Sequence, residues 1–275
     1  MMKRQRLLAN TFLFIFLLMF IVLPFVPLVL SSFSYNWEWP NVLPEIFSLS
    51  AWKYVLFDNS GTWQAIGTSL LIAFIVTAIN IILAVPAANA LVRYPLKGRW
   101  LFEAIIFAPI VIPPFVAVLG IHLTFLRFGL TETIFGVVLA HLSPTLPYVV
   151  RAAMTSYNTL SIDWEDQARM LGAGPLSRFY HVVLPHLLPG IAAGASLSIL
   201  ISLSQYLITF IIGSGQVMTL PILLFPFISG GDPAIASAYS LVFAGMAVAA
   251  LLILDLALKR YYKKKQAAAS KGVRE

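Results

Sequence analysis

Charge is scarce in this chain. Only 11% of its 275 residues are Asp, Glu, Lys or Arg, where soluble domains carry about 25%. So few charges cannot cover the surface of a soluble protein of 30.3 kDa. That excludes a soluble enzyme, a disordered chain and a fibrous repeat. Cysteine is absent, and with it disulfides, thiolate catalysis and Cys-ligated metal. No Gly-x-x-x-x-Gly-Lys-Ser/Thr phosphate loop occurs either. Between residues 187 and 231 there is no Asp, Glu, Lys or Arg at all.

What is present is apolar surface. Hydrophobic residues make up 60% of the chain and the mean hydropathy is +0.89. A span needs about 20 apolar residues to cross about 30 Å of hydrocarbon. Six segments meet or approach that length: 7–30, 66–92, 101–126, 133–150, 187–212 and 234–254. The expected fold is all-α: a polytopic membrane protein of six transmembrane helices, one transmembrane domain over 1–275. Gly213, Ser214 and Gly215 break the long uncharged stretch, and the apolar piece 220–228 after them is too short to span. It reads as re-entrant or interfacial. The first segment exceeds the 7–15 apolar residues of a signal peptide and no Ala-x-Ala site follows, so it reads as an uncleaved anchor.

The net charge of +7 records topology. Lys3, Arg4, Arg6, Arg93, Lys97, Arg99, Arg151, Arg169 and Arg178 fall on one side of the six segments. So does the basic tail at 259–275, with Lys259, Arg260, Lys263, Lys264, Lys265, Lys271 and Arg274. The other side holds only Lys53 and Arg127. Positive loops stay in the cytoplasm, so both termini are expected there and no nucleic-acid partner is needed to explain the charge. The outer loop 31–64 carries Tyr35, Trp37, Trp39, Trp52, Tyr54 and Trp63. It is an interfacial belt or a surface for an extracytoplasmic partner.

Segment 158–185 breaks the pattern. It holds Asp163, Glu165, Asp166, Arg169 and Arg178, so it is close to neutral where the other cytoplasmic segments are basic. A loop meant only for anionic headgroups would be basic. Trp164, Ala168 and Leu171 recur at i, i+4 and i+7, one face of a short helix. Gly172 is placed to stop it, and Pro175 suits the start of a second helix. Leu176, Phe179 and Val183 form the apolar face of that second helix, with Pro185 as its expected end.

This loop resembles the cytoplasmic coupling motif in permease subunits of type I, binding-protein-dependent ABC importers. That motif runs Glu-Ala-Ala, three residues, Gly-Ala, then a hydrophobic stretch ending Leu-Pro. Asp166, Gln167 and Ala168 stand at its first three positions, with Glu165 beside them as an alternative acid. Gly172 and Ala173 form its Gly-Ala, Phe179 is the usual aromatic, and Leu184–Pro185 closes it. Asp166 and Gln167 depart from the pattern. The resemblance implies a coupling-helix pair between helices four and five and a site in the bacterial inner membrane. It also implies a second permease subunit, an ATPase dimer that binds ATP and Mg, and an extracytoplasmic solute-binding protein. No cofactor, metal or catalytic residue is then expected on this chain.

The run from Leu184 to Gly215 and the following MTLPI are most similar to the arm that includes spermidine/putrescine permeases. Where polyamine permeases of that arm tend to carry an acidic pair, this chain has Ser204 and Gln205. A cation in a low-dielectric pathway wants a carboxylate nearby, so the expected solute is neutral, zwitterionic or anionic. Ser198, Ser202, Gln205 and Thr209 are spaced 4, 3 and 4, on one face of a continuous helix. His141, Thr145 and Tyr148 share a face of segment four. Both sets are candidates for a pathway lining or for inter-helix hydrogen bonds. A self-sufficient secondary transporter is the alternative. It would show an internal repeat and intramembrane charges; the sequence shows no repeat, and segments 66–92 and 187–212 carry no charge.

Overall fold

The computed structural model describes residues 2–37 and 40–272, and side chains for residue 11 and residues 13–261 except 38 and 39. Trp39, Arg274 and the side chains of Lys3, Arg4, Arg6, Lys263, Lys264, Lys265 and Lys271 lie outside that set. The described residues are helical, apart from turns and one isolated bridge between Ser34 and Phe47. In order they are α1 Met2–Val22, α2 Phe25–Ser32, α3 Ser50–Lys53, α4 Gly61–Arg93 and α5 Arg99–Val111. Then come α6 Pro114–Phe128, α7 Ile134–Thr159, α8 Ile162–Met170, α9 Pro175–Arg178 and α10 Leu184–Leu203. The last are α11 Tyr206–Gly213, α12 Leu220–Gly230 and α13 Pro233–Gly272. Short π-helical turns follow α3 and α9.

Five stretches are long and apolar enough to cross a membrane: Leu13–Ser32, Gly61–Arg93, Ile134–Thr159, Pro175–Leu203 and Pro233–Tyr261. The pair α5 and α6 makes a sixth if it is one span, and it is bent by 108°. The sequence suggested one unbroken helix over 101–126. Pro113 and Pro114 overrule that, because each proline drives the residue before it out of the helical region. Ile112 (ψ 130°) and Pro113 (ψ 128°) are both extended.

Two further expectations fail for local reasons. Pro185 does not end the second helix of the loop: the helix runs from Pro175 through to Leu203. The π-helical turn Phe179–Val183 lies directly before Pro185. A wider turn there makes room for a ring that would clash with the carbonyl four residues back in a regular helix. Segment 187–212 is not one helix either. Ser204 and Gln205 interrupt it, with Gln205 at ψ 82°. The break expected at Gly213, Ser214 and Gly215 is present, with Ser214 and Gly215 at φ 45° and 81°. The short piece after it is α12.

The chain divides into two units. One comprises Met1–Gln64 and Leu223–Gly245. In it Trp52 stacks on Phe33 at 5.6 Å, and Phe227 meets Tyr54 at 5.8 Å and Tyr239 at 5.5 Å. Tyr239 is buried, and its hydroxyl meets Asn59 (3.0 Å) and Thr62 (2.9 Å). Trp52 and Tyr54 thus pack inward, while Tyr35 and Trp63 are exposed.

The second unit comprises Ala65–Ile222 and Met246–Glu275, and α7 is its centre. Val149, Val150, Ala153, Met154 and Tyr157 pack against Ala84, Ala88 and Leu91 of α4 and Leu187 and Ile191 of α10. Further along, Val137, Val138 and Ala140 pack against Ile72, Val76, Ile208 and Ile212. The approach of α10 to α7 depends on Gly190 and Gly194. A Cβ at Gly190 would collide with the Ser156 hydroxyl and the Ala152 carbonyl. At Gly194 it would sit 3.0 Å from Val149 Cα. Two small residues four apart let helix backbones close up where lipid supplies no hydrophobic drive.

Candidate functional site

The loop between α7 and α10 is built by local signals. Ser161 caps α8 through its hydroxyl, which accepts from the Asp163 amide at 3.3 Å and donates to the Asp163 carboxylate at 2.9 Å. Asp163 and Glu165 then fall in the first turn, where the helix dipole favours acids. α8 ends in a Schellman turn. The Ala173 amide donates to the Ala168 carbonyl and the Gly172 amide to that of Arg169, both at 3.0 Å. The turn needs a left-handed residue, and Gly172 supplies it at φ +84°. Nothing lies within 4 Å of where a Gly172 Cβ would be.

Four large apolar side chains around the turn of this loop point outward, while Val183 is buried. Met170 is 88% exposed, Leu171 89%, Leu176 70% and Trp164 65%. A water-exposed surface seldom concentrates such residues around one turn without a partner. Asp166 and Gln167 are exposed, Ala168, Ala173 and Phe179 are half-buried, and Pro185 is half-buried at the foot of α10. Glu165 turns inward and pairs with Arg93 at 2.9 Å. The two candidate acids are thereby separated: Glu165 is held internally and Asp166 faces out.

The polar residues of the second unit come together, though not as one helical face. Thr77 donates to Ser198 at 2.9 Å, and the Asn80 amide to Ser198 at 3.0 Å and Thr145 at 2.7 Å. His141 meets Ser202 through Nδ1 at 3.0 Å and Thr209 through Nε2 at 3.1 Å. Thr209 gives its own proton to the Gln205 carbonyl at 2.7 Å. It therefore accepts from His141, which places the imidazole proton on Nε2 and leaves Nδ1 to accept from Ser202. Thr145 likewise donates to the His141 carbonyl at 2.6 Å. The break at Ser204 allows Ser202 and Thr209, on different helices, to grip one ring. Gln205 sits at that break, half-buried, as is Tyr148. His141, Thr145, Ser198, Ser202 and Thr209 are all buried.

Thr77 and Asn80 were not singled out in the sequence. Their signal was present: two polar residues at i, i+3 in a span without charge. Asn80 is fully buried and its side-chain oxygen has no partner. Arg93, too, looked only like a topological charge.

A family model described as "Binding-protein-dependent transport system inner membrane component" matches residues 80–266, and the chain belongs to that family. It is a multi-pass inner-membrane permease of the ABC-importer class and not an enzyme. It is 28% identical over 249 residues to the putative 2-aminoethylphosphonate transport system permease protein PhnV of Salmonella typhimurium, covering 90% of this chain and 93% of the relative. It is 25% identical over 256 residues to the spermidine/putrescine transport system permease protein PotC of Haemophilus influenzae, covering 92% and 97%. In fold it resembles a bacterial ABC transporter involved in import of the acidic polysaccharide alginate, with TM-score 0.70, 15% identity, and 94% and 96% covered. A second structure of that transporter, similar at TM-score 0.69 and 15% identity over 94% and 96% of the chains, is in complex with an alginate pentasaccharide-bound periplasmic protein. Family membership sets aside the self-sufficient secondary transporter.

Proposed function

We propose that this chain supplies half of a translocation pathway and that residues 158–185 are where a separate ATPase subunit docks. Glu165, Asp166, Gln167, Ala168, Gly172, Ala173, Phe179 and Pro185 define the docking segment. ATP and Mg bind the ATPase dimer, and an extracytoplasmic binding protein delivers the solute. A second permease subunit, a different chain, completes the pathway, and both termini are cytoplasmic, in keeping with the Lys and Arg distribution. One observation carries the docking assignment. A near-neutral, Schellman-terminated turn presents Met170, Leu171 and Leu176 to the outside. ATP binding that favours one permease state over the other drives alternation of the spans. Co-purification from detergent tests this: an ATPase subunit recovered with the intact chain supports it, and none recovered overturns it.

The solute is small, polar and neutral, zwitterionic or anionic. Support comes from the network of Thr77, Asn80, His141, Thr145, Ser198, Ser202 and Thr209, which contains no carboxylate. It offers hydroxyl, amide and imidazole groups, which suit hydrogen-bonding solutes. Gln205 and Tyr148, half-buried beside it, complete the candidate lining. A thermal-shift screen on the cognate binding protein tests the class. Stabilisation by polyamines alone contradicts it.

A further inference from the structure

One charged contact ties α8 to the spanning helices of its unit. Arg93 is the last residue of α4, and its guanidinium meets Glu165 of α8 at 2.9 Å. The same group donates to the Leu160 carbonyl at 3.4 Å, at the end of α7. It also lies 5.6 Å above the Tyr157 ring. The Arg93 side chain is 12% exposed and that of Glu165 24%. A planar guanidinium can serve a carboxylate, a carbonyl and a ring face together, which an ammonium cannot. The other ion pairs described, Arg99–Glu103 and Lys259–Asp255, each lie within one helix.

Arg93 is also well founded on its own helix. Ala84, Ala88 and Leu91 of α4 share a buried cluster with Tyr157, Leu160, Val183 and Leu187. Asn80 stands thirteen residues before Arg93 on α4, about 20 Å along the axis. There it bonds Thr145 of α7 and Ser198 of α10.

We propose that Arg93 is a positioning residue of the coupling step. It makes α8 and the cytoplasmic end of α4 move as one body, so that displacement of α8 reaches the Thr77–Asn80 network. The proposal rests on the docking role of residues 158–185. It also fixes the division between the two acids: Glu165 transmits, and Asp166 is left for the partner.

The test uses the assembled importer in proteoliposomes, with ATP hydrolysis measured with and without the binding protein. Arg93→Gln, which lies outside the docking segment, keeps assembly and basal hydrolysis but loses about tenfold in the stimulated rate, the scale of one charge-assisted hydrogen bond, and Glu165→Gln lowers the ratio of stimulated to basal hydrolysis by as much. The exchange Arg93→Glu/Glu165→Arg recovers part of the loss. The chain has no cysteine, so Arg93→Cys/Glu165→Cys carries a single pair of thiols. That variant loses stimulation, and bridging it with a short bismaleimide restores it. A merely structural contact would lower yield and leave the ratio of stimulated to basal hydrolysis unchanged. Full stimulation in both Gln variants overturns the proposal, as does a bridge that blocks uptake, because α8 would then have to slide against α4. If Arg93→Gln does not insert, Glu165→Gln, whose side chain reaches water, decides. A wild-type complex without binding-protein stimulation overturns the docking role itself and the proposal with it.

Discussion

Replacing Gly172 separates the shape of the coupling turn from what rests upon it. The residue holds φ +84° and closes two 3.0 Å hydrogen bonds over the end of α8. An L-residue with a Cβ in that region costs about 1–2 kcal/mol, and Asn tolerates it better. That cost shifts the local turn equilibrium by roughly 5- to 30-fold. It does not threaten the fold, because no atom lies within 4 Å of the new Cβ. Gly172→Ala, Gly172→Asn and Gly172→Trp therefore insert in wild-type amounts. Solute uptake in cells reads the rest. If a partner rests on this surface, uptake falls with the size of the added side chain, and Gly172→Trp abolishes it while insertion persists. Asn keeps the turn, so its uptake isolates the effect of bulk from that of strain. Unchanged uptake in Gly172→Trp refutes the assignment of this turn to coupling.

Other expectations concern packing and the polar network. Gly194→Leu forces a side chain against Val149 Cα and Ala152 Cβ, at 3.0 and 3.1 Å from the first added carbon alone. Overpacking of that kind costs about 1–3 kcal/mol, visible as a lower melting temperature in detergent; an unchanged melting temperature contradicts the α7–α10 contact. Asn80→Leu removes two inter-helix hydrogen bonds, worth about 0.6 kcal/mol each in membranes. Its melting temperature changes little, and a large drop in uptake would then mark Asn80 as pathway rather than scaffold. Asp166→Asn weakens recovery of the ATPase subunit in a pull-down at low salt, and equal recovery would remove Asp166 from the docking surface.

What the sequence revealed follows the range of each interaction. The turn at Gly172 was legible because a Schellman motif is written in consecutive residues. The break at Gly213–Gly215 was legible for the same reason. The 108° bend at Pro113 was equally local, yet continuous hydrophobicity over 101–126 masked it. Pro185 misled because a π-helical turn, which leaves no periodic trace, accommodates it. Gln205 misled because equal spacing is only a face while the helix stays continuous. The partners of Asn80 and Arg93 lie 64 or more residues away along the chain, and no local pattern encodes them. Arg93 counted correctly as a cytoplasmic charge, and only the fold shows that it holds Glu165.

The most direct measurement is a crosslink at the exposed end of α8. Leu171 is 89% exposed and the chain has no cysteine, so Leu171→Cys carries the sole thiol. Labelled with a photoactivatable maleimide in native membranes, it should yield one dominant adduct, to the ATPase subunit. Adducts to lipid or to other membrane chains, with none to an ATPase, would contradict the assignment of 158–185 as the docking segment.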